Sequence, residues 1–362
     1  KIFLNRLEEL HPNYNSVVTV TRKNALEQAH ILEKEVLQGK IRGMLHGIPY
    51  GAKDLLATKD GIPTSWGAEC YKKRCFDYEA TVVSKLRQRG AVLVAKLAMI
   101  ELAGGMGYDQ PNASFTGPCK NPWSLEAWSG GSSSGSGSAV GTGLIPFAIG
   151  SETWGSILSP ANNCGVTGLR PSYGRVSRYG AMPLSWTLDK LGPLALSADD
   201  CGLILQEISG PDSKDDSAQH VKFGYLDQAP STGKLAIISG VVEEADPEVR
   251  DNFLESVSQL KTWFDIEDIE IPDMPFHETT RLIMLSEWDC QSDFLDPMCG
   301  SGTILIEAAM YATNYPVNVK REKFSFKNWK NYDSQLFEII KKSVLKKVKS
   351  FNYNLMGYDK SP

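Results

Sequence analysis

The residues from Trp128 to Gly143, WSGGSSSGSGSAVGTG, are almost wholly Gly and Ser. Such a run normally makes a flexible tether, and a tether is flanked by loose, polar chain. This one leads without a break into the apolar stretch LIPFAIG and then into a second small-residue knot, SETWGS. Small residues let several backbone segments approach one point closely. The run therefore reads as closely approached backbone inside a folded domain, not as a tether.

Helix-face spacing of apolar residues governs residues 1–38, with Leu4, Leu7 and Leu10 followed by Ala25, Ala29, Leu32 and Val36. Further on, TVVSKLRQRGAVLVAKLAM reads as helix, glycine stop and buried strand, with Gly90 as the stop. DDCGLILQEISG repeats the helix closed by a glycine, GKLAIISG is predicted as a buried strand, and a helix opens on Pro247. Alternating helices and near-continuous apolar strands predict a layered α/β architecture.

At 362 residues the chain has room for about two domains. The net charge of −5 gives the whole chain no pull towards nucleic acid or an anionic membrane. The charge is uneven. From Trp288 to Pro362 eleven Lys and Arg stand against eight Asp and Glu, so +3, leaving −8 for the residues before them. Seven dispersed cysteines, without a CxxC pair or a histidine at ligand spacing, read as reduced, buried thiols of a cytoplasmic protein. They do not suggest a metal site. No apolar run reaches the ~18 residues of a membrane span. The chain begins in a helical pattern at Lys1, so its start is expected to be truncated.

Two stretches carry chemistry. The knot from Gly150 to Ser156 follows an apolar strand and can aim consecutive backbone N–H groups at a developing oxyanion. A serine at such a turn is a candidate nucleophile if a base reaches it. None of the five histidines has a setting that suggests this role. Lys53, in HGIPYGAKDLL, lies among apolar and small residues. Burial lowers a lysine pKa towards neutrality and makes the amine a usable base. Serine–lysine pairs are a known variant of triad chemistry.

GIPYGAKD, GGSSSGSGSAVGTGLIPFAIGSETWGSI and CGVTGLRPSYGRVSRYGAMPLSWTLDKLGP together resemble the amidase signature family, over residues 1–287. This family includes amide hydrolases and the amidase-type subunits of amidotransferases. The resemblance implies a mixed-sheet core flanked by helices, which hydrolyses amides with a Ser–Ser–Lys triad and no metal or cofactor. It places Lys53 as base, Ser132 as the bridging serine on a cis peptide, and Ser156 as nucleophile. Backbone N–H groups of Thr153, Trp154, Gly155 and Ser156 would hold the oxyanion. The family usually has Gly-Gly-Ser-Ile-Arg where this chain has Trp154, Gly155, Ser156, Ile157 and Leu158. Trp154 fits only with a negative φ, and Leu158 lacks the arginine expected to anchor the loop. With Met182–Trp186, Trp154 predicts an apolar mouth for small aryl or aliphatic amides. The family domain also runs on well past residue 287.

After that point, FLDPMCGSGTILIEAAMYATN sets a strand end, an acidic residue, a Gly-rich turn and a helix in order. With KFSFKNWKNYD and NLMGYDKSP it resembles the S-adenosylmethionine site of THUMP-associated RNA guanine-N2 methyltransferases, over residues 293–362. The resemblance implies Asp296, Gly300 and Gly302 near the methionine part and Asp359 at the ribose. The substrate-reading domain and the later catalytic motif are absent, so a vestigial half-site is expected. The whole then reads as an incomplete amidase domain, 1–287, followed by a partial Rossmann-like fragment, 288–362, in a chimeric chain. Two alternatives stand beside it: an S-adenosylmethionine-dependent RNA methyltransferase fragment, and an inactive binding or scaffold protein.

Overall fold

The structure, a computed structural model, describes residues 1–104, 114–221, 223–225, 233–243, 245–271, 294–296, 308–310, 312–315 and 334–357. It divides into two units, Lys1–Ala229 and Pro230–Pro362. The boundary expected between 287 and 288 lies outside the described residues.

The first unit is built on a mixed six-stranded sheet with strand order β1-β3-β2-β4-β6-β5. Its strands are β1 (Val17–Val20), β2 (Pro49–Lys53), β3 (Val92–Leu97), β4 (Phe147–Glu152), β5 (Thr167–Gly168) and β6 (Lys190–Ala195). The central three, β3-β2-β4, run parallel, and the strands outside them run antiparallel to their neighbours. Every residue of β3 and β4 is buried, as a strand covered on both faces requires.

Helices cover both faces. On one side α1 (Ile2–Tyr14), α2 (Arg22–Leu37) and α4 (Ser134–Gly141) pack Leu4, Leu7, Leu32 and Val140 against Val92, Val94 and Ala148. On the other, α3 (Thr81–Gln88) and α6 (Ala198–Ile208) pack Val82, Leu86, Ile204 and Leu205 against Tyr50, Ala52, Phe147 and Ile149. The pleat alternates side chains between faces. Because Tyr50 and Ala52 face α3 and α6, Lys53 at the end of β2 is turned to the α4 side. A seven-residue helix, α5 (Leu158–Cys164), follows the second knot.

The periodic stretch 1–38 is not one helix. The β-branched run Val17–Val20 forms edge strand β1, and Asn15, in the left-handed conformation at φ 51°, ends α1 before it. The helix over 81–88 does end as expected, with Gly90 at φ +82°.

The Gly/Ser run is core. Ser132, Ser133, Ser136 and Ser138 are buried, and α4 begins within the run. A Cβ on Gly135 would overlap the Ser16 carbonyl oxygen and lie 2.5 Å from the Ala98 amide. Both are backbone atoms of the sheet edge and cannot step aside. Gly135→Ala is therefore expected to cost at least about 2 kcal/mol by overpacking. A thermal melt indistinguishable from that of the parent chain would refute this close approach.

In the second unit, β7 (Lys234–Ile238), α7 (Pro247–Leu260) and β8 (Asp265–Ile269) form a βαβ unit with parallel strands. β7 is not the buried strand expected. It alternates exposed and half-buried residues, because in a two-stranded sheet one face of each strand is left open. A second parallel pair joins β9 (Phe294–Asp296) to β10 (Leu355–Gly357), with helix α8 (Ser334–Leu345) between them in the chain. No described helix is long and apolar enough to cross a membrane. Among the described cysteines Cys119, Cys164 and Cys201 are buried and free; Cys70 and Cys75 are also free but exposed, which corrects the expectation of uniformly buried thiols.

Candidate active site

The C-terminal ends of parallel strands β2 and β4 lie side by side, the usual place for a site in a sheet of this kind. Lys53 ends β2 and is fully buried. Its Nζ lies 2.7 Å from Ser132 Oγ, 2.9 Å from Ser151 Oγ and 3.5 Å from the Ser151 carbonyl oxygen. Burial lowers the Lys53 pKa to about 7, while the nearby carboxylates of Asp189 and Glu152 act in the opposite direction. At neutral pH a large fraction of this amine is therefore an unprotonated base.

Ser132 follows a cis peptide bond from Gly131, and its carbonyl accepts from the Ile100 amide at 3.2 Å. The next residue, Ser133, ties the two small-residue knots together. Its amide donates to the Ser156 carbonyl at 3.1 Å, and its hydroxyl donates to the Ser151 carbonyl at 3.1 Å. These bonds set Ser156, which is 3% exposed, beside the segment that carries Ser132.

The loop from Thr153 to Ser156 is held at both ends. Gly155 takes φ +100°, which a side chain would resist, whereas Trp154 keeps an ordinary φ and turns its ring outward, 62% exposed. Among the described residues, the amides of Trp154 and Gly155 donate to no carbonyl or side chain. With Leu158 in place of the family's arginine, the loop is anchored from another residue. Buried Glu152 accepts from the amides of Ile157 at 2.8 Å and Leu158 at 2.9 Å, and Arg170 reaches its other oxygen at 3.3 Å. A carboxylate capping the turn anchors the loop without an arginine at 158. At the front, the Thr153 hydroxyl donates to Asp189 at 2.5 Å and Lys190 Nζ donates to the Thr153 carbonyl at 2.9 Å.

A second buried lysine lies on the same stretch of sheet. Lys96 Nζ is 2.9 Å from Asp54 Oδ1 and donates to Thr64 Oγ1 at 2.6 Å; Ser65 binds the other Asp54 oxygen through its amide and hydroxyl. Burial lowers the Lys96 pKa and the Asp54 partner opposes this. The pair fixes the chain just after Lys53 and stays clear of the two serines.

Next to Ser151 is a crevice with room for about one water, about 10 Å³, lined by Arg178, Met182, Trp186, Asp189 and Leu191. Met182 and Trp186 therefore do border the site, but a charged guanidinium and a carboxylate border it too. A larger cavity of about 590 Å³, lined by Lys23, Glu27, Tyr50, Lys59, Glu79 and Arg87 among others, includes none of the serines around Lys53. No group of three metal-ligating side chains is present among the described residues. In the second unit, Asp296 ends β9, opposite Gly357 of β10; Gly300, Gly302 and Asp359 lie outside the described residues.

Sequence reasoning missed Ser151, Glu152, Asp189, Lys190 and the Lys96–Asp54 pair. Lys96 carried a usable signal, a lone cation inside the apolar run AVLVAKLAM. Ser151 and Glu152 lie inside the knot SETWGS without a signal of their own, and Asp54, Asp189 and Lys190 read as ordinary polar residues.

Comparison with known proteins bears on the family and the fold. The family described as Amidase matches residues 1–322, further than the expected limit of 287 and across the start of the tail. The glutamyl-tRNA(Gln) amidotransferase A subunit of Coxiella burnetii (strain Dugway 5J108-111) is 44% identical over 216 residues, which are 60% of this chain and 44% of that protein. Its namesake from Marinomonas sp. (strain MWYL1) is 40% identical over 280 residues, 76% of this chain and 57% of its own. The chain thus spans about half the length of these curated relatives. The solved structure of native peptide amidase from Stenotrophomonas maltophilia superposes with a TM-score of 0.68 at 29% identity, covering 78% of this chain and 60% of that one.

Proposed function

This chain belongs to the amidase family, and we propose that it hydrolyses a carboxylic amide through a Ser–Ser–Lys acyl-enzyme. The observation that carries the proposal is the fully buried Lys53 amine, 2.7 Å from Ser132 Oγ, with a pKa of about 7. Neutral Lys53 takes the Ser132 proton as Ser132 takes that of Ser156, and the Ser156 oxygen bonds to the amide carbon. The carbonyl π electrons move to oxygen, where the amides of the Thr153–Ser156 loop face the developing charge. One such donor is worth about 3–4 kcal/mol of barrier. Collapse breaks the C–N bond, the relay returns its proton to the departing amine, and water then releases the acid. The steps need no metal or cofactor.

A small neutral aryl or aliphatic amide is the substrate class read from the apolar side chains of Trp154, Met182 and Trp186, the last two of which border the crevice beside Ser151. The test is a panel of amides with free glutamine among them. Faster turnover of aryl or aliphatic amides supports this substrate class. A clear preference for glutamine overturns it and favours the activity after which the amidotransferase relatives are named. A folded chain that is inert to every amide and to a serine-directed fluorophosphonate supports the inactive scaffold instead. Free buried thiols at Cys119, Cys164 and Cys201 support a cytoplasmic location.

For the tail, the parallel pairing of β9 with β10, which sets Asp296 at a strand end, supports reading it as a methyltransferase-like half-site. The half-site is read as vestigial, so titration with S-adenosylmethionine in a calorimeter is expected to give no saturable heat. Saturable binding would favour the RNA methyltransferase alternative. Sequencing the genomic locus across residues 287–293 tests the chimera: one unbroken reading frame contradicts it.

A further inference from the structure

Asp189 stands where the mouth and the oxyanion loop meet. It is 8% exposed and precedes β6 directly. One carboxylate oxygen accepts from the Thr153 hydroxyl at 2.5 Å. The other accepts from the amides of Leu184 at 2.7 Å and Ser185 at 3.1 Å. The same residue borders the crevice with Ser151, whose hydroxyl is 2.9 Å from Lys53 Nζ. A single carboxylate thus touches the loop that would hold the oxyanion and the segment that would receive the substrate, next to the base.

We propose that Asp189 is a positioning residue which ties the mouth segment to the oxyanion loop and supplies counter-charge to the Lys53 ammonium formed during acylation. This rests on the Ser–Ser–Lys reading above. When Ser156 loses its proton, Lys53 becomes positive in a site closed to solvent, and the charges of two carboxylates, Asp189 just before β6 and Glu152 in β4, favour that form. On the far side of β2, Lys96 and Asp54 neutralise one another. Glu152 already commits both oxygens to the Ile157 and Leu158 amides and to Arg170. Among the described residues Asp189 accepts hydrogen bonds only from neutral donors, a hydroxyl and two amides, while Lys190 beside it and Arg178 in the same crevice share its charge with the amine.

The strap and the charge have separable signatures. Asp189→Asn keeps the shape and removes the charge. Without that charge the ammonium is less stable, so the Lys53 pKa falls and the acid limb of the acylation profile moves to lower pH, by at least about half a unit. The plateau rate should fall roughly tenfold or more, because the transition state also carries the ammonium. Asp189→Glu restores the charge and should return the limb towards its original position. Thr153→Val cuts the strap alone; it should lower the rate and leave the limb in place.

The experiment is the pH dependence of fluorophosphonate reaction on the full chain and these variants. The Lys53 titration, followed by NMR in isotope-labelled lysine, gives a readout that needs no turnover. A downward shift in Asp189→Asn by both readouts, partly reversed in Asp189→Glu, supports the proposal. A folded Asp189→Asn chain with an unmoved Lys53 titration overturns it, as does an equal shift in Thr153→Val. Retention of full reactivity by Lys53→Met would instead remove the parent reading, which separates the two failures.

Discussion

Ser156→Ala is expected to abolish amide hydrolysis, lowering kcat by at least about 10⁴-fold while leaving the fold intact. The knot SETWGS offers one other serine, Ser151, but its hydroxyl is held against Lys53 Nζ at 2.9 Å and its residue lies inside strand β4. The one hydroxyl left on the loop of amides once Ser156 is gone, that of Thr153, is committed to Asp189. In the proposed mechanism the removed oxygen is the attacking atom, so the loss should fall on kcat and not on KM. Hydrolysis assays with the best amide of the panel check this. Residual activity within about tenfold of the parent chain would mean that another group attacks the carbonyl.

Lys53→Met should be as damaging to catalysis and informative about stability. With a pKa of about 7, the amine is neutral above that pH and can then serve as the base of the proposed relay. The acylation rate of the parent chain should therefore rise through about pH 7 and level off above it. In the unfolded chain the same amine titrates near 10.5, the ordinary lysine value. Between about 7 and 10.5 the unfolded chain holds a proton that the folded chain has released. Folding stability therefore rises with pH across that window, at about 1.4 kcal/mol per unit, and this contribution is flat below about 7. Lys53→Met has no such term. From about pH 7 to 9 the parent chain should gain on the variant by about 2 kcal/mol, measured by denaturant unfolding of both proteins. A constant difference across that range would mean that Lys53 is solvated, and the base would be lost with it.

The parts of the site legible in the sequence are those whose chemistry shows in a short run. Lys53 stands out as a cation between apolar residues, and the Gly/Ser stretch as a backbone too small to be filling space for its own sake. The structure supplies the cause: at Gly135 the sheet edge comes so close that no side chain fits. Gly90 ends its helix and Pro247 opens one where a fixed backbone preference says they should. What stayed hidden depends on partners far along the chain. Asp189 gains its meaning from Thr153, 36 residues away, and Arg170 from Glu152, 18 residues away. In a sequence such carboxylates look like solvated loop charges. The break in the 1–38 helix was hidden for another reason. Leu4, Leu7, Ala25 and Leu32 face one core from two helices, so their spacing survives the strand between them. The exposure of β7 could not be read either, since apolar residues in a short run look alike whether one face or both are covered.

The proposed chemistry stands or falls with Ser156 as the nucleophile of a Lys53-driven relay. The decisive measurement is mass-spectrometric mapping of the adduct that a fluorophosphonate forms on the full chain, at a pH above about 8 where Lys53 is neutral. One adduct is expected, on Ser156, absent from Lys53→Met and strongly reduced in Ser132→Ala. An adduct on Ser132, Ser151 or any other serine of the folded protein, or one on Ser156 that forms equally well without Lys53, would contradict the relay.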